Sequence, residues 1–227
     1  MHKFIKTNLF LASFLVTHFN SYGAQYTYLA GQVEQSQDGS SYVLVVSDLK
    51  SKQNAVLPYV RTKNGWAIIE LNHGTKIKLS PGSILKILKD DVSEQSLKLE
   101  VGAAFFKVLK SSEATKKFKL STKVTTMGVR GTEFFVSYGT QKHKTHTDEW
   151  MCVNEGSVVL KDHITMKQVA VNQGQGVLVD AHEGVTNPKE YEWTKKLNWR
   201  MTTDEGKIES DVDLNNAYTN LRRIIYE

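Results

Sequence analysis

Two nearby runs decide the fold: Phe118-Lys119-Leu120-Ser121-Thr122 and, after a four-residue spacer, Met127-Gly128-Val129-Arg130-Gly131-Thr132-Glu133-Phe134-Phe135-Val136. Physically this is a strand, a tight turn and another strand, with glycines on either side of Val129-Arg130. Gly128 and Gly131 permit close backbone approach or positive φ. An arginine fixed between them has a set direction, and its five donors suit carbonyls or a carboxylate from a neighbouring segment.

The same two-residue period runs outward from this point. It recurs in Ile77-Lys78-Leu79, Leu97-Lys98-Leu99-Glu100-Val101, Phe134-Phe135-Val136-Ser137-Tyr138 and Val169-Ala170-Val171. Such alternation places one side-chain set on a buried face and the other in water. Turn signals punctuate it: Gln37-Asp38-Gly39-Ser40, Lys63-Asn64-Gly65, Asn72-His73-Gly74, Pro81-Gly82, Asn154-Glu155-Gly156 and Asn172-Gln173-Gly174. Short strands at short spacing from about Gln25 to Asp180 predict an all-β sandwich, barrel or solenoid.

A weak internal repeat points to the solenoid. Val153-Asn154-Glu155-Gly156-Ser157-Val158-Val159-Leu160 resembles Val171-Asn172-Gln173-Gly174-Gln175-Gly176-Val177-Leu178, and Leu99 to Phe106 is a looser copy. A period near 20 residues suits stacked β coils, though three imperfect copies also fit turns of one sandwich. The expected fold is therefore an all-β β-solenoid or jelly-roll-like stack of short antiparallel strands with a C-terminal α-helical tail.

The tail begins at Asn187-Pro188, where the period-two pattern stops. Lys189 to Leu197 is rich in Glu, Lys and Trp. Asp211 to Tyr226 carries Leu214, Tyr218, Leu221 and Ile225 at helical spacing, with Ser210 as a cap. One or two amphipathic helices are predicted. They pack back on the β body, or offer Trp193, Trp199, Leu214, Tyr218, Leu221 and Ile225 to a partner.

At the other end, His2, Lys3 and Lys6 precede an apolar run, Leu9 to Val16, and then Ser21-Tyr22-Gly23-Ala24. This is the pattern of a secretory signal peptide cleaved after Gly23. The run is too short to span a bilayer, which takes roughly 20 apolar residues. The expected organisation is a signal peptide over residues 1–23, a β domain over 24–186 and a helical tail over 187–227. The expected location is periplasmic or secreted, with no lipoprotein cysteine at the cleavage point. Removing the signal takes two lysines and no acid from a chain of net charge +5.

Composition agrees with a globular protein: 227 residues, 40% hydrophobic and 23% charged. The single cysteine, Cys152, excludes an internal disulfide framework and a Cys-rich zinc module, and it reads as a buried, inert strand residue. The charge excess is too small to indicate nucleic acid.

The Met127–Val136 segment resembles the signature of the FecR domain family, loosely F-x-V-x-T, a spacer, then V-R-G-T-x-F-x-V. Family-motif positions are Gly128, Val129, Arg130, Gly131, Thr132, Glu133, Phe134 and Val136. Tyr59 to Ile87 resembles the family's opening strands, with His73-Gly74-Thr75 where the family has Asp-Gly-Ser. Leu99 to Val108 and Val153 to Val158 resemble its later strands. Thr122-Lys123 replaces the family's frequent Thr-Pro. The resemblance implies an extracytoplasmic β domain that works by protein contact. Transmembrane members precede it with an anti-sigma segment and a membrane helix; here a signal peptide is expected instead.

Other constellations read as structural. Arg130 and Glu133 are expected to fix the signature turn. His143, His146, Asp148 and Glu149 hold a His-x-x-His spacing, but lysines crowd it and a solvated hairpin tip is expected rather than a metal site. Lys107, Lys110, Lys116, Lys117, Lys119 and Lys123 suit an acidic polymer, or block edge-to-edge aggregation. No nucleophile elbow, P-loop or dinucleotide fingerprint is present, so neither enzyme chemistry nor a cofactor is expected. The reading is an exported, non-enzymatic interaction or sensing module with an envelope protein partner, in envelope signalling or assembly. The alternative is a binder of cell-envelope glycan or polyanion. Neither nucleic acid binding nor membrane spanning after cleavage is expected.

Overall fold

A computed structural model describes residues 23–45, 55–110, 117–140 and 147–209. The signal-peptide run, His143 and His146, and the Leu214–Ile225 stripe lie outside them.

Seventeen strands are described, in chain order. The first seven are β1 (Gln25–Ala30), β2 (Val33–Ser36), β3 (Val43–Leu44), β4 (Tyr59–Thr62), β5 (Trp66–Glu70), β6 (Lys76–Leu79) and β7 (Ile84–Asp90). The centre holds β8 (Glu94–Val108), β9 (Lys117–Ser121), β10 (Thr125–Val129), β11 (Thr132–Thr140) and β12 (Thr147–Glu155). The last are β13 (Ser157–Asp162), β14 (Gln168–Asn172), β15 (Gln175–Asp180), β16 (Gly184–Val185) and β17 (Lys189–Glu190). The all-β expectation holds.

These strands form two layers. In the first sheet the order is β1-β5-β6-β8-β11-β12-β15, with β16 and β17 beside β15. In the second it is β3-β2-β4-β7-β8-β9-β10-β13-β14, antiparallel except for the β8–β9 pair. Strand β8 belongs to both: Glu94–Lys98 pairs with β9, and Gly102–Val108 pairs with β11.

The inner faces meet in one core. Ile69, Leu79, Phe106, Phe134, Val136 and Val153 from the first sheet pack with Val60, Leu85, Leu99, Leu120, Met127 and Leu160 from the second. Phe106 stacks on Phe134, and Phe118 from the second sheet meets both edge-on at 6.3 Å. Burying one large apolar side chain contributes about 1.5–3 kcal/mol, so this layer is the principal source of stability.

Glycines mark where the chain changes sheet. Within β8, Leu97 and Leu99 point into the core, whereas beyond Gly102 the inward set is Ala104, Phe106 and Val108. The inward parity switches at Gly102, where φ is +97 and an added Cβ would lie 2.2 Å from Ser83 Oγ. Val101 is consequently exposed, although the alternation of Leu97-Lys98-Leu99-Glu100-Val101 assigns it to the core. Gly131 between β10 and β11, Gly156 between β12 and β13, and Gly174 between β14 and β15 stand at the same kind of corner, each with positive φ. The sequence repeat is therefore a repeat of corners: its three aligned glycines are Gly102, Gly156 and Gly174.

The second correction concerns the outer face of the first sheet, where alternation assigns Lys78 and Phe135 to water. Both are fully buried. The segment from Tyr191 to Ile208 lies across this face, and Tyr191, Leu197, Trp199 and Met201 pack on Ala103, Phe105, Phe135, Trp150, Cys152 and Leu178. The helical expectation for Lys189–Leu197 gives way to strand β17 and a 3₁₀ turn over Glu192–Lys196. Among the described residues no helix is long and apolar enough to cross a membrane.

Candidate functional site

The signature residues form the corner between the two sheets. Val129 ends β10 and Thr132 opens β11, so Arg130-Gly131 is the whole connection. Gly131 has φ +59, and an added Cβ would sit 2.9 Å from Lys110 Cβ. Thr132 Oγ1 donates to Ser157 O at 2.9 Å. The Gly156 corner packs directly against it: a Cβ on Gly156 would lie 2.6 Å from Gly131 O and 2.9 Å from Thr132 Oγ1. Two glycine corners thus stack backbone to backbone, with the threonine of the signature joining them.

Inward from the corner, Phe134 and Val136 enter the core, as alternation requires. Glu133 is buried at the margin. It accepts from Asn154 Nδ2 at 2.5 Å and pairs with Lys107 Nζ at 3.7 Å. Arg130 is exposed and lines a cleft of about 440 Å³ with Lys107, Lys110, Glu133 and Glu155. A second cleft of about 490 Å³ begins at the same Lys107 and Glu133 and continues along Lys196, Trp199, Arg200 and Glu205 of the tail. The corner can therefore offer mixed charges to an extended ligand along its rim.

Of the residues read as a partner-binding tail, Trp199 is half-buried. Its indole sits edge-on to Phe105 at 5.3 Å and donates from Nε1 to Thr194 O at 3.0 Å. For Trp199, packing back on the body is the arrangement found. The backbone of Trp193 lies in the 3₁₀ turn of Glu192–Lys196.

The acids beside the predicted histidine loop are buried on β12. Glu149 lies between the sheets and accepts from the Thr122 and Thr125 hydroxyls. Burial pushes its pKa up to about 7, the two threonines oppose this, and Asp162 adds to it. Asp148 lies opposite Asp180 across β12 and β15. Among the described residues no three His, Cys, Asp or Glu side chains gather as a metal set. Cys152 is fully buried, and burial pushes its thiol well up, as expected for an unreactive strand residue.

Sequence reasoning missed Lys78. Its Nζ donates to the carbonyls of Asn198, Arg200 at 2.9 Å and Ile208 at 3.2 Å, and sits 4.2 Å over the Phe105 ring. Burial pushes its pKa down to about 8, while Glu133, Glu205 and Glu209 pull it upward. A second clasp joins Tyr28 OH to Glu209 Oε1 at 2.6 Å. Pairing registers connect these points: Tyr28, Ile68, Lys78, Phe105, Phe135, Cys152 and Gly176 form one row across seven strands. The tail runs along this row from β15 to β1. Gly176 has no side chain where Tyr191 crosses: an added Cβ would lie 3.1 Å from the Tyr191 ring.

Two layers of strands stitched by glycine corners, with an arginine at the central one, define the class of this domain. Residues 59–159, from the first residue of β4 into β13, match the family described as FecR protein. The resemblance read from the Val129-Arg130-Gly131-Thr132 segment is borne out over these residues. A crystal structure of a candidate anti-sigma factor from Parabacteroides distasonis ATCC 8503 superposes with a TM-score of 0.50 at 18% identity, over 59% of this chain and 60% of that one. A second crystal structure of the same description gives 0.48 at 18%, over 57% of each chain. At this identity the likeness is one of fold. No curated protein matches the chain.

Proposed function

We propose that this chain is an extracytoplasmic, non-enzymatic module that works by protein contact in envelope signalling or assembly. The observation that carries it is the FecR match over residues 59–159, centred on the Arg130-Gly131 corner. The corner's rim supports the reading: Arg130, Lys107 and Lys110 stand with Glu133 and Glu155 along an open cleft. Such a rim suits register and partner choice by charge complementarity.

The test is a photo-crosslinking residue placed at Lys110 in cells, followed by recovery of adducts from the envelope fraction. One discrete protein adduct, lost in the Arg130→Ala background at a temperature where that variant remains folded, is the expected result. A crosslinker at Lys110 that captures nothing, or adducts indifferent to Arg130, would overturn the reading.

A further inference from the structure

Among the described residues, no segment packs across the outer face of the second sheet in its β8–β14 half, and its side chains follow two rows. One reads Lys98, Ser121, Thr126, Lys161, Gln168; the next reads Ser96, Lys119, Gly128, Val159, Ala170. Lys117 stands one row further, opposite Glu94. Lys117, Lys119 and Lys161 are exposed and make no ion pair among the described residues. Described acids beside these rows are already engaged: Glu94, opposite Lys117, pairs with Lys89; Glu100 pairs with Lys98 at 2.8 Å; and Asp162, next to Lys161 in the chain, accepts from the backbone amides of Ile164, Thr165 and Val185. Among the described residues, what remains is positive charge without an acid partner, around a floor of small residues. Gly128 lies at its centre, where an added Cβ would have nothing within 4 Å.

We propose that this face docks on a membrane surface rich in anionic phospholipid. Its composition selects among polyanionic partners. Protein interfaces are depleted in Lys, Ser and Ala and are anchored by Trp, Tyr, Arg or Met in pockets. The rows around Gly128 hold the depleted types and none of those anchors. Lysines on flexible stems act instead as point charges, each adding affinity for an anionic leaflet within a Debye length. The small floor lets them reach headgroups without obstruction. Exposed Val159 at the centre adds an apolar contact. This surface is separate from the corner cleft, so it stands or falls independently of the protein-contact reading.

The experiment is cosedimentation of the purified protein with phosphatidylcholine vesicles with and without about one-third phosphatidylglycerol, at ~50 and ~300 mM NaCl. Binding is expected only with phosphatidylglycerol and only at the lower salt. The triple variant Lys117→Gln/Lys119→Gln/Lys161→Gln should lose on the order of 100-fold in partition coefficient. A control, Lys189→Gln/Lys195→Gln/Lys196→Gln on the tail, changes charge equally and should retain binding within about threefold. Equal loss in both triples, or no phosphatidylglycerol-dependent binding by the wild type, would overturn the proposal. So would binding to soluble poly-glutamate without binding to vesicles, which would assign the face to an acidic protein. Unchanged melting temperatures in both triples show that the fold is intact.

Discussion

The two sheets are written in the same alternating code, yet their outer faces have opposite fates. On the first sheet, Phe105, Phe135, Trp150 and Leu178 are sealed beneath the chain's own tail, and a lysine is sealed with them. On the second, Lys117, Lys119 and Lys161 stand in water around Gly128. Both faces carry lysine, so residue type alone does not decide exposure. What decides it is the row: large apolar side chains beside Lys78 attract cover, and Ser, Thr, Gly and Ala beside Lys119 do not.

Substitution at Lys78 tests the difference most strongly. A buried ammonium answering three carbonyls cannot be removed without leaving those acceptors dry. Lys78→Met should cost about 4 kcal/mol in chemical denaturation and open the Tyr191–Glu209 segment to limited proteolysis. If stability and proteolysis are unchanged, the tail is held by its apolar residues alone.

The next effect lies between the faces, at Glu149. Its folded pKa, about 7, exceeds the ordinary value of 4.5. The folded state therefore holds the proton more tightly than the unfolded chain. That stability is complete below about pH 4.5 and is lost as pH rises to and through 7. Denaturation at pH 5 and pH 8 should differ by about 3 kcal/mol in favour of pH 5, and Glu149→Gln should flatten the difference. A flat wild-type profile would show that neither burial nor Asp162 raises this carboxyl.

The smallest effect is expected on the open face. Lys119→Gln should change unfolding free energy by no more than about 0.5 kcal/mol. A larger loss would mean that the lysine rows support the fold and are not merely displayed by it.

These contrasts show what the sequence could and could not reveal. The inner faces were legible, because period-two alternation reports directly on a sandwich core: Leu97, Leu120, Phe134 and Val136 all point inward. The signature corner was legible because Val129, Arg130, Gly131 and Thr132 occur as a motif, but Gly128 is not part of it: it lies within β10, without positive φ and with nothing within 4 Å of an added Cβ. The repeat was visible, but its meaning was not, since a period alone does not say where a chain turns from one layer to another. The buried Lys78 was illegible. Its three acceptors lie 120 or more residues away, on a segment with no strand or helix signature of its own. Trp199 was noticed as an aromatic near the end, but whether it faced a partner or Phe105 depended on that same long-range return.

The glycine corners have one more consequence. Because the parity that faces the core reverses at Gly102, Gly131 and Gly156, though not at Gly174, these three corners act like punctuation that restarts the inside–outside count. A one-residue insertion in a β arm would turn its side chains over only as far as the next glycine, where the phase can be set afresh. Damage of that kind should stay confined to a single arm, so such a chain can drift in strand length over evolutionary time while conserving little beyond where it bends.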